Sequence, residues 1–186
     1  RMAYVAFYRT FAGWSGQALS FLGESLVRQG RYDEGIETIR ESIKEEILIS
    51  SPVSLIGSLR ALAEAQLIAG FPKEGLATVD EAINRSNSTG EYLWEPEIYR
   101  LKARLLLTQN DVDRAEACLR KSIEIANLQH AKSWEIRSTV DLARLWGNQG
   151  KKQEAKDCLS KIYEWFSEGF DTPDLVNAKK LLEELS

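Results

Sequence analysis

The chain is 186 residues long, with 44% hydrophobic and 28% charged residues, enough for one domain with a sizeable continuous core. Its formal net charge of −4 offers phosphate backbones no positive field, so nucleic acid is not an expected partner. The longest clean apolar runs, such as 3–8, are far too short for a bilayer, and Arg9 interrupts the only N-terminal stretch resembling a signal peptide. No membrane partner is expected, and the location expected is cytoplasmic.

Taken in chain order, residues 1–10 shifted by 40 positions fall on 41–50, the tail of a second helix, so the chain is expected to begin inside a hairpin. Four hairpins follow, over 14–50, 52–86, 91–129 and 131–169. Their first helices are predicted at 14–29, 52–69, 92–109 and 132–149, and their second helices at 32–49, 72–85, 112–128 and 152–168. Ser51 before Pro52 reads as an N-cap with proline in the first turn, and Asp111 as the cap of a later helix. Ile36, Ile39, Ile43 and Ile47 form a core-facing stripe, whereas the polar stretch 86–90 reads as a loop. Asp171, Thr172 and Pro173 introduce a capping helix over 172–185 bearing Leu175, Ala178, Leu181 and Leu182 on one face. A finished C-terminal end and an open N-terminal one lead us to expect the C-terminal part of a longer polypeptide.

The period carries the fold class. Turn residues Gly30, Gly70, Asn110 and Gly150 recur every 40 positions. Seven residues before them stand Gly23, Ala63, Ala103 and Ala143; five after them stand Gly35, Gly75, Ala115 and Ala155. Small residues in phase on both sides of a turn let two helix backbones approach closely. Such a unit cannot bury its apolar face alone, so neighbours must stack. The expected fold is all-α: a right-handed superhelical solenoid of extended helical hairpins, residues 1–186 forming a single repeat domain.

The polar residues assemble no catalytic constellation. Cys118 and Cys158 lie one period apart, and equivalent positions on stacked hairpins stand about 10 Å from each other, beyond the ~7 Å reach of a disulfide. They read as reduced packing residues. His130 has no partner for base or metal chemistry and reads as a solvated turn residue. The segment 70–75 lacks the Gly-Lys-Ser/Thr end of a phosphate loop. Glu41, Glu45 and Glu46 read as a solvated face. No enzyme activity, cofactor or metal is expected of these residues. Trp14, Trp94 and Trp134 share a phase, and in-phase indoles read as packing plugs more readily than as a ligand-stacking row. Trp146, Trp165 and Phe166 read as core.

The stretch LGESLVRQGRYDEGIETIRESI resembles the tetratricopeptide pattern, here with helices longer than its usual period of about 34 residues requires. Residues 97–182, and GFDTPDL most specifically, are similar to the C-terminal tail of large bacterial signalling proteins. In those, a class III nucleotidyl cyclase-type domain and an AAA-like ATPase domain precede tetratricopeptide repeats. The resemblance implies a regulatory repeat domain whose chemistry lies elsewhere in the polypeptide.

In tetratricopeptide solenoids the first helices line the concave surface. The inward set here is Glu24, Arg28, Arg60, Glu64, Arg100, Arg104, Arg137, Asp141 and Arg144. Arg100 and Arg104 share a face and could grip a carboxylate or phosphate, resembling part of the carboxylate clamp of chaperone-binding repeats. Ser20 and Glu24 depart from that clamp. The competing expectation pairs these arginines with Glu64, Glu97 and Asp141. Expected partners are a protein, a peptide or upstream domains of the same polypeptide. The alternative is a sensor repeat domain in an ATPase-type transcription regulator.

Overall fold

The computed structural model describes residues 16–49 and 51–186, and every regular element within them is helical. The expectations for residues 1–10 and Trp14 lie outside the described residues. The helices are α1 (16–28), α2 (Tyr32–Ile49), α3 (Pro52–Ile68), α4 (Pro72–Thr89), α5 (Glu95–Leu107), α6 (Val112–Leu128), α7 (Lys132–Asn148), α8 (Lys152–Tyr163) and α9 (Pro173–Glu184). They group into two compact units, one ending at Leu101 and one beginning at Lys102, with the division inside α5.

The same turn closes each hairpin. Gly30, Gly70 and Gly150 have φ of 83°, 83° and 81°, and Asn110 has 58°. This left-handed region carries no Cβ penalty for glycine and is tolerated by asparagine. At each turn, the following residue's N–H reaches five positions back: Arg31 to Leu26, Phe71 to Gln66, Asp111 to Leu106 and Lys151 to Trp146, all at 2.8–3.1 Å. These bonds satisfy carbonyls that a helix end would otherwise leave open. His130 adopts φ 55° in the turn between α6 and α7. It is an exposed turn residue, as its position predicts.

The small residues stand where the helices cross. Ala63, Ala103, Ala115, Ala143 and Ala155 are fully buried. The aliphatics nine positions after the turns, Ile39, Val79, Leu119 and Leu159, complete each crossing and are buried too. In the first unit Val27, Ile36 and Ile39 pack with Ala61, Leu62 and Ala65. In the second, Ile136, Leu159 and Ile162 meet Leu175, Ala178 and Leu181 of α9. Pro173 opens α9 in the first turn with Thr172 as N-cap, as the sequence predicts. Asp111 caps α6 by accepting from the Arg114 N–H.

Three local readings are corrected. Residues 86–89 continue α4 instead of forming a loop, and Gly90 (φ 73°) ends it. The hydroxyls explain this: Thr89 Oγ1 and Ser88 Oγ donate back to the Arg85 carbonyl at 2.8 and 2.9 Å, so they support a helical turn that isolated propensity disfavours. Helix α8 stops at Tyr163, not 168, so Trp165 lies at the surface, 60% exposed, edge-on to Phe166. Glu46 is buried outright rather than solvated.

Candidate partner-binding surface

Within the first unit the charged residues of the first helices pair with one another. Glu24 on α1 accepts from Arg28 at 3.2 Å and from Arg60 on α3, thirty-six positions later. Arg60 also donates to Glu64 at 2.9 Å. Its guanidinium carbon lies 5.3 Å from the centroid of the Trp94 ring. Gly57 makes room for that indole, since a Cβ there would stand 3.0 Å from the indole nitrogen. Arg60 is therefore held on three sides, its side chain only 14% exposed. Arg100 on α5 forms a two-pronged bond with Glu97, at 2.9 and 3.3 Å. Gln17 on α1 donates to Ser54 on α3 at 3.3 Å.

In the second unit Arg137 pairs with Asp174 of α9, its Nε donating at 2.6 Å. Arg144 and Asp141 form an ion pair at 3.7 Å, with Arg144 itself 55% exposed. Arg104 is half-buried on α5. Of the pairings expected from sequence, Arg60 with Glu64, Arg100 with Glu97 and Arg144 with Asp141 are present. The tie from Glu24 to Arg60 and the tie from Arg137 to Asp174 join residues far apart in sequence, and neither is visible in helical spacing. Arg28 and Arg144 are the two most exposed guanidiniums among those with measured ion pairs in this set.

Two buried polar features were not anticipated. Ser42 and Ser58 exchange a hydrogen bond at 3.0 Å, and Ser122 and Ser138 do so at 2.6 Å. Both pairs join a second helix to the next first helix, and their 80-residue offset is a signal that the sequence contains. Ser58 also donates to Glu46 Oε1 at 3.1 Å, while Glu46 Oε2 is buried without a hydrogen-bond partner among the described residues. Burial pushes the Glu46 carboxyl up to about 7, against the lowering pull of the Ser58 and Ser42 hydroxyls. Burial also raises the Cys158 thiol, which suits a packing residue; Cys118 and Cys158 are unbridged. Among the described residues no cluster of three metal-ligating side chains forms, and no helix is long and apolar enough to cross a membrane.

The fold has close likenesses of low identity. BtubC (BKLC) from P. vanneervenii superposes with a TM-score of 0.80 at 17% identity, over 98% of this chain and 76% of that one. Aspartyl phosphate phosphatase F from Bacillus subtilis superposes with a TM-score of 0.74 at 13% identity, over 100% of this chain and 50% of that one. In sequence the chain is 26% identical over 171 residues to superkiller complex protein 3 of Homo sapiens, covering 90% of this chain. It spans about 10% of that relative's length. Residues 10–182 match the model described as the MalT-like TPR region. With its helical hairpins, its left-handed turns every 40 residues and that match over most of its length, the chain belongs to the MalT-like family of tetratricopeptide repeat regions.

Proposed function

We propose that this chain is a non-catalytic interaction and regulatory module that docks a protein, a peptide or other domains of its own polypeptide through its first helices. The observation that carries this reading is the pairing of Glu24, Arg60 and Glu64 beside Trp94. It fixes a charged, aromatic-backed surface on α1 and α3 and leaves Arg28 extended into solvent. In the second unit Arg144 is similarly open. The pairs made by the exposed Arg28 and Arg144 are worth roughly 0–1 kcal/mol, so a partner's carboxylates can engage these two guanidiniums at small cost. The candidate residues proposed are Glu24, Arg28, Arg60, Glu64 and Arg100 in the first unit and, separately, Arg104, Arg137, Asp141 and Arg144 in the second, with Arg28 and Arg144 the most open to a partner.

The parent we propose is a signalling ATPase or nucleotidyl cyclase-like polypeptide in the cytoplasm. The likeness of residues 97–182 to the tails of such proteins and the MalT-like match support it. A relative named for a complex supports docking as the task. The experiment is capture of partners from the source cell by the wild-type chain and by Arg28→Glu/Arg144→Glu. Partners retained by the wild type, lost by the variant and released at high salt support the surface. Equal capture by both removes it. The coding sequence on either side separates the parent readings. A phosphate loop or cyclase aspartates upstream support the signalling ATPase, whereas a basic recognition helix downstream would favour the transcription regulator.

A further inference from the structure

A cavity of about 210 Å³ opens where the end of α2, the start of α3 and the end of α4 meet. It is smaller than the pockets of drug-sized ligands, about 300–1,000 Å³, so it suits a small group. Ile47, Pro52, Leu55 and Ile56 give it apolar walls. Glu46 lines it from α2 and is 0% exposed, and its Oε2 has no hydrogen-bond partner among the described residues. The other carboxyl oxygen already accepts from Ser58 at 3.1 Å.

The hydroxyls of the lining add acceptors, not donors. Ser51 Oγ donates its proton to Ser54 at 2.9 Å. Ser88 Oγ and Thr89 Oγ1 donate theirs to the Arg85 carbonyl at 2.9 and 2.8 Å. A hydroxyl has a single proton and two lone pairs, so towards a ligand these three oxygens can only accept. Arg85, the one cationic residue of the described lining, is drawn to Glu81, at 2.9 Å from Nε and 2.8 Å from Nη2.

We propose that this cavity binds a primary ammonium group carried on a short aliphatic chain. An ammonium brings three N–H donors and no acceptor, which matches Glu46 Oε2 together with the hydroxyl oxygens of the lining. The chain lies against Pro52, Leu55 and Ile56. A guanidinium fits less well, because its fork pairs best with both oxygens of a carboxylate, and Ser58 holds one of them. Burial raises the Glu46 carboxyl to about 7, so a bound cation supplies the counter-charge that the interior withholds. None of the residues proposed for the partner surface lines this cavity. Arg28→Glu/Arg144→Glu should therefore leave it unchanged, and the two proposals fail independently.

The test is a titration of the full chain with isopentylammonium chloride at neutral pH and low salt, followed by ¹H–¹⁵N NMR. Isopentyl alcohol repeats the shape without the charge, and sodium chloride at equal ionic strength controls for screening. We expect saturable shifts confined to the end of α2, the start of α3 and the end of α4. Binding of the alcohol should be weaker by about tenfold or more, with a comparable loss of the amine in Glu46→Gln. Acetyl-Gly-Lys-Gly-amide separates the two sources of such a group. Tighter binding than the free amine assigns the site to a lysine of a partner protein, and weaker binding assigns it to a small-molecule amine. Equal affinity for amine and alcohol, undiminished amine binding by Glu46→Gln, shifts centred elsewhere, or no saturable shift would overturn the proposal. The ligand swap needs no altered protein, so a poorly folded variant cannot decide the outcome.

Discussion

Gly23 and Gly35 cross so closely that a Cβ on either would stand 2.7 Å from the other's carbonyl oxygen. The two backbones occupy the space that side chains take at other helix crossings, where alanines serve. Gly35→Ala gains about 1 kcal/mol of helix propensity, yet the new methyl meets backbone, which cannot rotate away. We expect a net loss of about 1–3 kcal/mol from overpacking in a urea melt. A melt at or above wild type would show that α1 and α2 stand further apart.

The alanine crossings give a milder form of the same test. Ala115 and Ala155 are fully buried where α6 and α8 begin. Ala115→Leu or Ala155→Leu should each destabilise by about 1–3 kcal/mol. Two unchanged melting temperatures would contradict the packing at these sites.

Glu46 makes stability depend on pH. Its carboxyl titrates near 4.5 in the unfolded chain and at about 7 in the folded one. Below the first value both states are protonated and stability is complete. Between the two the unfolded chain releases a proton that the folded chain keeps, so stability falls as pH rises, by ~1.4 kcal/mol per unit at most. Above pH 7 the loss is finished. Glu46→Gln should therefore gain roughly 1–3 kcal/mol over wild type at pH 8 and almost nothing at pH 4.5. Chemical denaturation at both pH values reads it, and equal gains would place the carboxyl in water.

Arg60 is the node of the first unit's polar surface. Arg60→Ala removes its bonds to Glu24 and Glu64 and its seat on Trp94, leaving two poorly solvated carboxylates. We expect a loss of about 1–3 kcal/mol. A double-mutant cycle with Glu24→Gln should return a coupling of at least ~0.5 kcal/mol. Strict additivity would mean that the pair is incidental.

Residues that act through local rules were legible in the sequence. Gly30, Gly70, Asn110 and Gly150 mark turns because the left-handed region admits few residues, and Ala63 or Ala143 mark crossings because bulk is excluded there. The misread residues are those whose state depends on distant partners. Nothing near Glu46 predicts burial; it is the Ser58 hydroxyl, twelve positions later, that shelters part of the carboxylate. Arg137 has a partner that helical spacing does not show, since α9 brings Asp174 to it from thirty-seven positions away. Trp165 reads as core only while α8 is assumed to run on past Tyr163.

The buried serine pairs alternate with an apolar junction. Ser42 meets Ser58 and Ser122 meets Ser138, but the positions between them in phase are Ala82 and Ile98, both buried. The interchangeable part of this chain is therefore two hairpins long. Excising 40 residues would set the Ser42 hydroxyl against an isoleucine and take from both Ser42 and the buried Glu46 carboxyl the hydroxyl that Ser58 supplies. Excising 80 would set it against Ser138, which could also serve Glu46 as Ser58 does. A denaturation series on the two shortened chains should find the larger deletion the better tolerated. In building terms, this array lengthens and shortens by pairs.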